Sequence, residues 1–154
     1  MKILSIRTSE RLVVTPVGNR YYEVGNDEIH IYIVTDEGTF VFVVYKGFIT
    51  NFRSGGWFVD LFIDQIGDEK KAIVYLVHDL IYTPCSSLRM HHPMSRGLGD
   101  QLLRDGLIYE GLKEWKAKIV YKSVRICGQR AYDEDDELTE TNSTLFKFEW
   151  LDVA

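Results

Sequence analysis

The sequence predicts an α+β fold: an antiparallel N-terminal β-sheet packed against about three helices, with a C-terminal strand. Three observations carry this. Residues 1–50 are mainly β in character, residues 69–131 change to a helical period, and residues 143–151 return to strand alternation. The chain runs strands, then helices, then a strand, without the βαβ alternation of a parallel sheet. Its 154 residues are the usual size of a single domain, read here as 1–154, which can bury about two-thirds of the surface its unfolded chain would expose.

The strand elements come first. RLVVTPV, RYYEV, EIHIYIVTD and TFVFVVYKG are rich in β-branched and aromatic residues and are punctuated by turn signals. IHIYIVT-DEG-TFVFVVY reads as a hairpin. Ile29, Ile31 and Ile33 would line one face, with His30, Tyr32 and Val34 on the other. The second strand is apolar on both faces, which predicts a central strand covered on both sides. His30 falls on the less buried face and is assigned no chemistry. Residues 47–69 form a long connection with Gly55-Gly56 and several large aromatics, and long loops inside a compact domain are often functional.

The helices follow. EKKAIVYLVHDLIY fits three to four turns ended by Thr83-Pro84, because the residue before proline avoids helical geometry. PMSRGLGDQLLRDGLIYEGL (93–112) fits a second helix with Pro93 near its start and Gly97 and Gly99 weakening its first turns. KEWKAKIVYKSVRICGQRAY fits a third, with Trp115, Ile119, Tyr121, Val124 and Cys127 as its apolar face and Gly128 as its stop. DEDDE (133–137) reads as a solvated acidic loop, since crowded carboxylates without interspersed Gly or Asn repel one another. In TLFKFEWL, Phe146, Phe148 and Trp150 alternate with Lys147 and Glu149, as in an edge strand with one buried face.

The totals exclude several function classes. A formal charge of −5 argues against a nucleic-acid binder, which needs a basic face. No apolar run approaches the roughly 20 residues that span a bilayer, and the N-terminus lacks the pattern of a signal peptide. Cys85 and Cys127 read as reduced thiols. Cys85 has no base or cation placed to activate it and is read as structural.

The residues that carry chemistry lie on the first two helices. Tyr75, His78, Asp79 and Tyr82 share one face, opposite Ile73, Leu76, Val77 and Leu80. That two-faced pattern would suit the wall of a cleft. His78 is a candidate general base or metal ligand, and Asp79 a candidate ligand or orienting group. The bland alternative, commoner for an isolated His-Asp pair, is a hydrogen-bonded structural network. Arg96 and Asp100 stand one turn apart; as a surface pair they would contribute about 0.3 kcal/mol. His91 and His92, adjacent in a loop, match no established ligand spacing. Ser54 precedes two glycines whose backbone could face an anion.

In order and spacing these pieces resemble a phage and prophage family known as domain-of-unknown-function family 1353. Its pattern is an aromatic-T-D-x-A-S-x-P segment, a helix ending H-D-x-L-Y, an R-x-x-x-D helix start and a Val-Arg-x-x-Gly element. The matching segments are FITNFRSGG (48–56), HDLIY (78–82), SRGLGD (95–100) and VYKSVRICG (120–128), covering roughly residues 45–130. The chain departs from the pattern at Asn51, where the family has an acidic residue, and at Arg53-Ser54-Gly55-Gly56. The resemblance implies that Asn51, Ser54, His78, Asp79, Tyr82, Arg96 and Asp100 gather at one place. It implies no particular reaction.

Two functions follow as expectations. The first is a noncatalytic phage accessory protein, virion- or tail-associated or engaging a host protein, with a structural His-Asp-Arg network. Aromatics such as Trp57, Phe58 and Trp150 would serve its interface. The second is a small lysis-related hydrolase using His78, Asp79 and Asp100 as catalytic groups or as ligands of a divalent metal, with Asn51, Ser54, Tyr82 and Arg96 binding substrate. Losing the carboxylate at position 51 would remove a ligand charge. The partners implied are a phage structural protein or a host protein, with no nucleic acid and no membrane, in the host cytoplasm or the virion.

Overall fold

The computed structural model describes residues 1–18, 21–50, 68–83, 94–133 and 137–153. Its centre is the hairpin read from the sequence. Strand β4 (Glu28–Thr35) turns through Asp36-Glu37 into β5 (Gly38–Tyr45). The turn is fixed by Thr35, whose Oγ1 accepts from Gly38 N at 3.1 Å and donates to Gly38 O at 2.7 Å. Strand alternation then places Ile29, Ile31 and Ile33 inward, at 0–2% exposure.

The sheet is completed by distant parts of the chain. Strand β7 (Phe146–Asp152) pairs with β5, and β1 (Ile3–Thr8) with β4, giving the order β1-β4-β5-β7. The C-terminal strand is therefore the predicted edge. Trp150 is half-buried, as the strand alternation predicts, rather than a free interface aromatic. It faces inward beside Phe40, with ring centroids 4.6 Å apart, and lies where a side chain at position 38 would sit. Strand β1 is missing from the sequence reading because a bulge between Ile3 and Ser5 breaks its two-residue period. A small second sheet comprises β2 (Val14–Pro16), β3 (Tyr22–Val24) and β6 (Ile49–Thr50), in that order. Strand β6 is too short to show periodicity.

Helix α1 (Glu69–Tyr82) is capped by Asp68, which accepts from the backbone N–H groups of Lys70 and Lys71. It is buried all round. Ile73, Leu76, Val77 and Leu80 are covered, and so are Tyr75 and His78 on the opposite side. The expected two-faced helix with an open polar side is corrected on this point. It is a central helix, whose apolar residues join those of the sheet and of the next two helices in one core.

Helix α2 (Arg96–Tyr109) begins three residues later than expected, because Ser95 rather than Pro93 opens it: Ser95 Oγ accepts from Leu98 N. It ends before residue 112 in a Schellman turn. Gly111 takes φ +97°, Leu112 N bonds to Leu107 O, and Gly111 N bonds to Ile108 O. The glycines that looked like weak helix formers are where α1 and α2 meet. A Cβ at Gly99 would stand 2.6 Å from Ile81 Cγ2, and one at Gly106 would stand 2.8 Å from Val74 Cγ1. Close helix approach outweighs the loss of helix propensity there.

Helix α3 (Glu114–Cys127) buries Ala117, Val120, Ser123 and Val124. The predicted apolar face is thus corrected: Trp115 and Cys127 are exposed. Small residues make the contact, so the large ones misled. Two short helices follow, α4 (Gln129–Asp133) and α5 (Glu137–Ser143), making five among the described residues, where about three were expected. Residues 134–136 of the acidic run lie outside the described residues. Asn142 of α5 explains its own element: its side chain accepts from Ile49 N and donates to Ile49 O, holding β6 as a strand neighbour would.

Candidate functional site

Candidate side chains converge where α1, α2 and α3 meet. Asp100, in the first turns of α2, is fully buried and accepts three hydrogen bonds. His78 Nε2 donates to its Oδ1 at 2.8 Å, Tyr82 Oη donates to the same oxygen at 2.7 Å, and Arg125 Nη1 donates to Oδ2 at 2.8 Å. His78 and Tyr82 lie one turn apart on α1, which brings both to one carboxylate, with ring centroids 4.2 Å apart. Arg125 reaches the carboxylate from the last turn of α3 and remains partly exposed.

Arg96 does not pair with Asp100 as a surface ion pair, which corrects that expectation. Its Nη2 donates to Val124 O at 2.8 Å and Arg125 O at 3.0 Å. A cation from the start of α2 thereby satisfies carbonyls at the C-terminus of α3, where the helix dipole favours positive charge. Gly128, just beyond, leaves room for this meeting. A Cβ there would lie 2.4 Å from Val124 O, 2.5 Å from Tyr82 Oη and 3.2 Å from Arg96 Nη2, although φ −83° is an ordinary helical value.

The charge states follow from burial and hydrogen bonding. Burial alone would raise the Asp100 carboxyl, but the bonds from His78, Tyr82 and Arg125 outweigh it and hold the group below its ordinary value. Burial pushes the His78 imidazole down, against the pull of Asp100. Burial first, and Asp100 second, raise the Tyr82 phenol. At neutral pH the centre is a carboxylate holding a neutral imidazole, a phenol and a guanidinium.

This arrangement has a pH signature. A histidine with a depressed folded pKa stabilises the fold fully above the unfolded value of about 6.5 and loses that contribution as pH falls through the folded value. Asp100 adds a second loss below about pH 4 by the same sign. The urea midpoint is therefore expected to fall between pH 7 and 5, with a slope approaching about 1.4 kcal/mol per pH unit from His78. In His78→Gln that part of the slope should vanish; an unchanged slope would count against a buried neutral imidazole.

Of the other residues singled out, Asp79 turns to a different place and accepts from Thr50 Oγ1 at the end of β6. Asn51, Ser54, Trp57, Phe58, Cys85, His91 and His92 lie outside the described residues. Among the described residues, no group of three or more His, Cys, Asp or Glu side chains is disposed to hold a metal ion. A cleft of about 520 Å³ lies elsewhere, between β1 and the start of α1, lined by Ile6, Thr8, Glu69, Lys70, Tyr109 and Glu110 among others. The sequence reading missed Arg125 and Gly128 as site residues. Their signal was the Val-Arg-x-x-Gly spacing, in which Arg125 holds Asp100 and Gly128 admits the Tyr82 hydroxyl.

The profile of a family described as "Protein of unknown function (DUF1353)" matches residues 29–124, well over half the chain. The chain belongs to the DUF1353 family. No curated protein and no solved structure matches it. The region shared with DUF1353 runs from β4 to the last turn of α3 and contains His78, Tyr82, Arg96 and Asp100. No described helix is long and apolar enough to cross a membrane.

Proposed function

We propose that this DUF1353 protein is a noncatalytic phage accessory protein, associated with the virion or tail or engaging a host protein. Its His78-Tyr82-Asp100-Arg125 network serves the fold. The observation that carries this reading is the closure of the centre: His78 and Asp100 are exposed by 1% and 0%. Asp100 already accepts from three donors on two other helices. A fully satisfied buried network fixes how helices meet. A general base, in contrast, must reach a substrate proton.

The second reading, a small hydrolase acting through His78, Asp79 and Asp100 with or without a divalent metal, draws on one observation. Asp100 orients His78 as a carboxylate orients a catalytic imidazole. One experiment separates the two: metal analysis of the purified protein, together with mass spectrometry of purified particles and of host proteins recovered with the tagged chain. The accessory reading expects recovery in particles, or with one host protein, that survives Asp79→Asn. Stoichiometric bound metal that Asp79→Asn releases would replace it with the hydrolase.

A further inference from the structure

The sheet has a second face that the core does not use. Its inward residues join the helices in one core, but Val41, although buried at 8% exposure, is not part of that core. It sits on the outward face among the half-buried Tyr32, Val34, Val43 and Tyr45. Among the described residues, core side chains cover β5 on one side only. A solvated face of an antiparallel sheet is ordinarily polar, and this one has an apolar and aromatic centre.

The strand register arranges charge around that centre. Arg7 is opposite Tyr32, Tyr32 opposite Val41, and Val41 opposite Glu149, so one row across the four strands reads Arg7-Tyr32-Val41-Glu149. Arg7 and Glu149 are exposed at opposite edges of the sheet, and neither has an ion-pair partner among the described residues. The neighbouring rows are His30-Val43-Lys147 and Ser5-Val34-Thr39-Leu151.

From this pattern we infer that the outward face is an isologous interface that takes a second copy of this chain. A two-fold axis parallel to the strands, between β4 and β5, lays each row on itself in reverse. Arg7 of each copy then meets the other's Glu149, and Tyr32 meets the other's Val41. His30 meets the other's Val43, Val34 the other's Thr39, and no like charges oppose. Two sheets stacked about 10 Å apart in this way form an aligned sandwich with a dry centre. Self-complementarity of one patch is what a two-fold dimer requires. The dimer goes beyond the accessory role and holds whether or not the Asp100 network is purely structural.

The test is sedimentation equilibrium of the full chain and of charge variants at exposed positions. The wild type is expected to dimerise. Arg7→Glu, which sets like charges against Glu149, should raise the dimer dissociation constant about tenfold or more. The swap Arg7→Glu with Glu149→Arg should restore it to within about threefold. A wild type that stays monomeric up to millimolar concentration overturns the proposal and leaves the face to a different protein. A dimer indifferent to Arg7→Glu, or a swap that fails to rescue, also overturns it, because the two copies would then meet elsewhere.

Discussion

Asp100→Ala is expected to destabilise the protein by about 3–5 kcal/mol, the usual cost of removing one partner from a buried charged network. Most of this comes from His78 and Tyr82, whose donors each lose a fully buried acceptor. Arg125 contributes less than its 2.8 Å contact suggests, because it is partly exposed and regains water. Asp100→Asn should cost about 2–3 kcal/mol, since the amide keeps the volume but turns a donor toward other donors. For a chain of this length the alanine variant should melt about 10 °C lower. Urea unfolding followed by circular dichroism measures both. A loss under about 1 kcal/mol for Asp100→Ala would mean that the three helices are held together without this carboxylate.

Gly128→Ala should lower stability by about 2 kcal/mol, within the range for overfilling a packed site. Its own dihedrals are not the reason, because φ −83° and ψ −15° suit alanine. The obstacles are the Val124 carbonyl oxygen, 2.4 Å from where the new methyl would stand, and Tyr82 Oη at 2.5 Å. The cause can be isolated by a double-mutant cycle. Tyr82→Phe alone removes a hydrogen bond and should cost about 1 kcal/mol. Combined with Gly128→Ala it should cost clearly less than the sum of the two, with a coupling of about 1 kcal/mol, because the hydroxyl that clashes is gone. Simple additivity would place the strain at the Val124 carbonyl alone.

The central hairpin, the edge position of the last strand and the span of α1 were legible in the sequence, because each rests on local periodicity or punctuation. Ile29, Ile31 and Ile33 alternate, Phe146, Phe148 and Trp150 alternate, and Pro84 follows α1. Strand β1 was hidden by its bulge and β6 by its length. Helix α5 was hidden because its buried residue, Asn142, bonds to Ile49, far away in sequence. At the site, the facing of His78 and Tyr82 was readable from helical spacing. Their shared acceptor was not, since helix spacing places side chains on a face without naming what lies opposite. Arg96 and Asp100 looked like partners because they are one turn apart. Asp100 instead found partners on α1 and α3, and Arg96 the open end of α3. Burial decided this: a fully enclosed carboxylate takes every donor within reach.

The pairing of β5 with β7 also bears on how the protein is made. Phe40, Phe42 and Val44 are translated about a hundred residues before the Phe146–Asp152 strand that covers their open side, and such distant pairing is slow to form. Until then a ribosome-bound chain carries a hydrophobic strand with one unpaired edge, the kind of template on which chains aggregate. Shortening the gene to end before Phe146 should therefore send the product into inclusion bodies rather than yield a smaller folded domain.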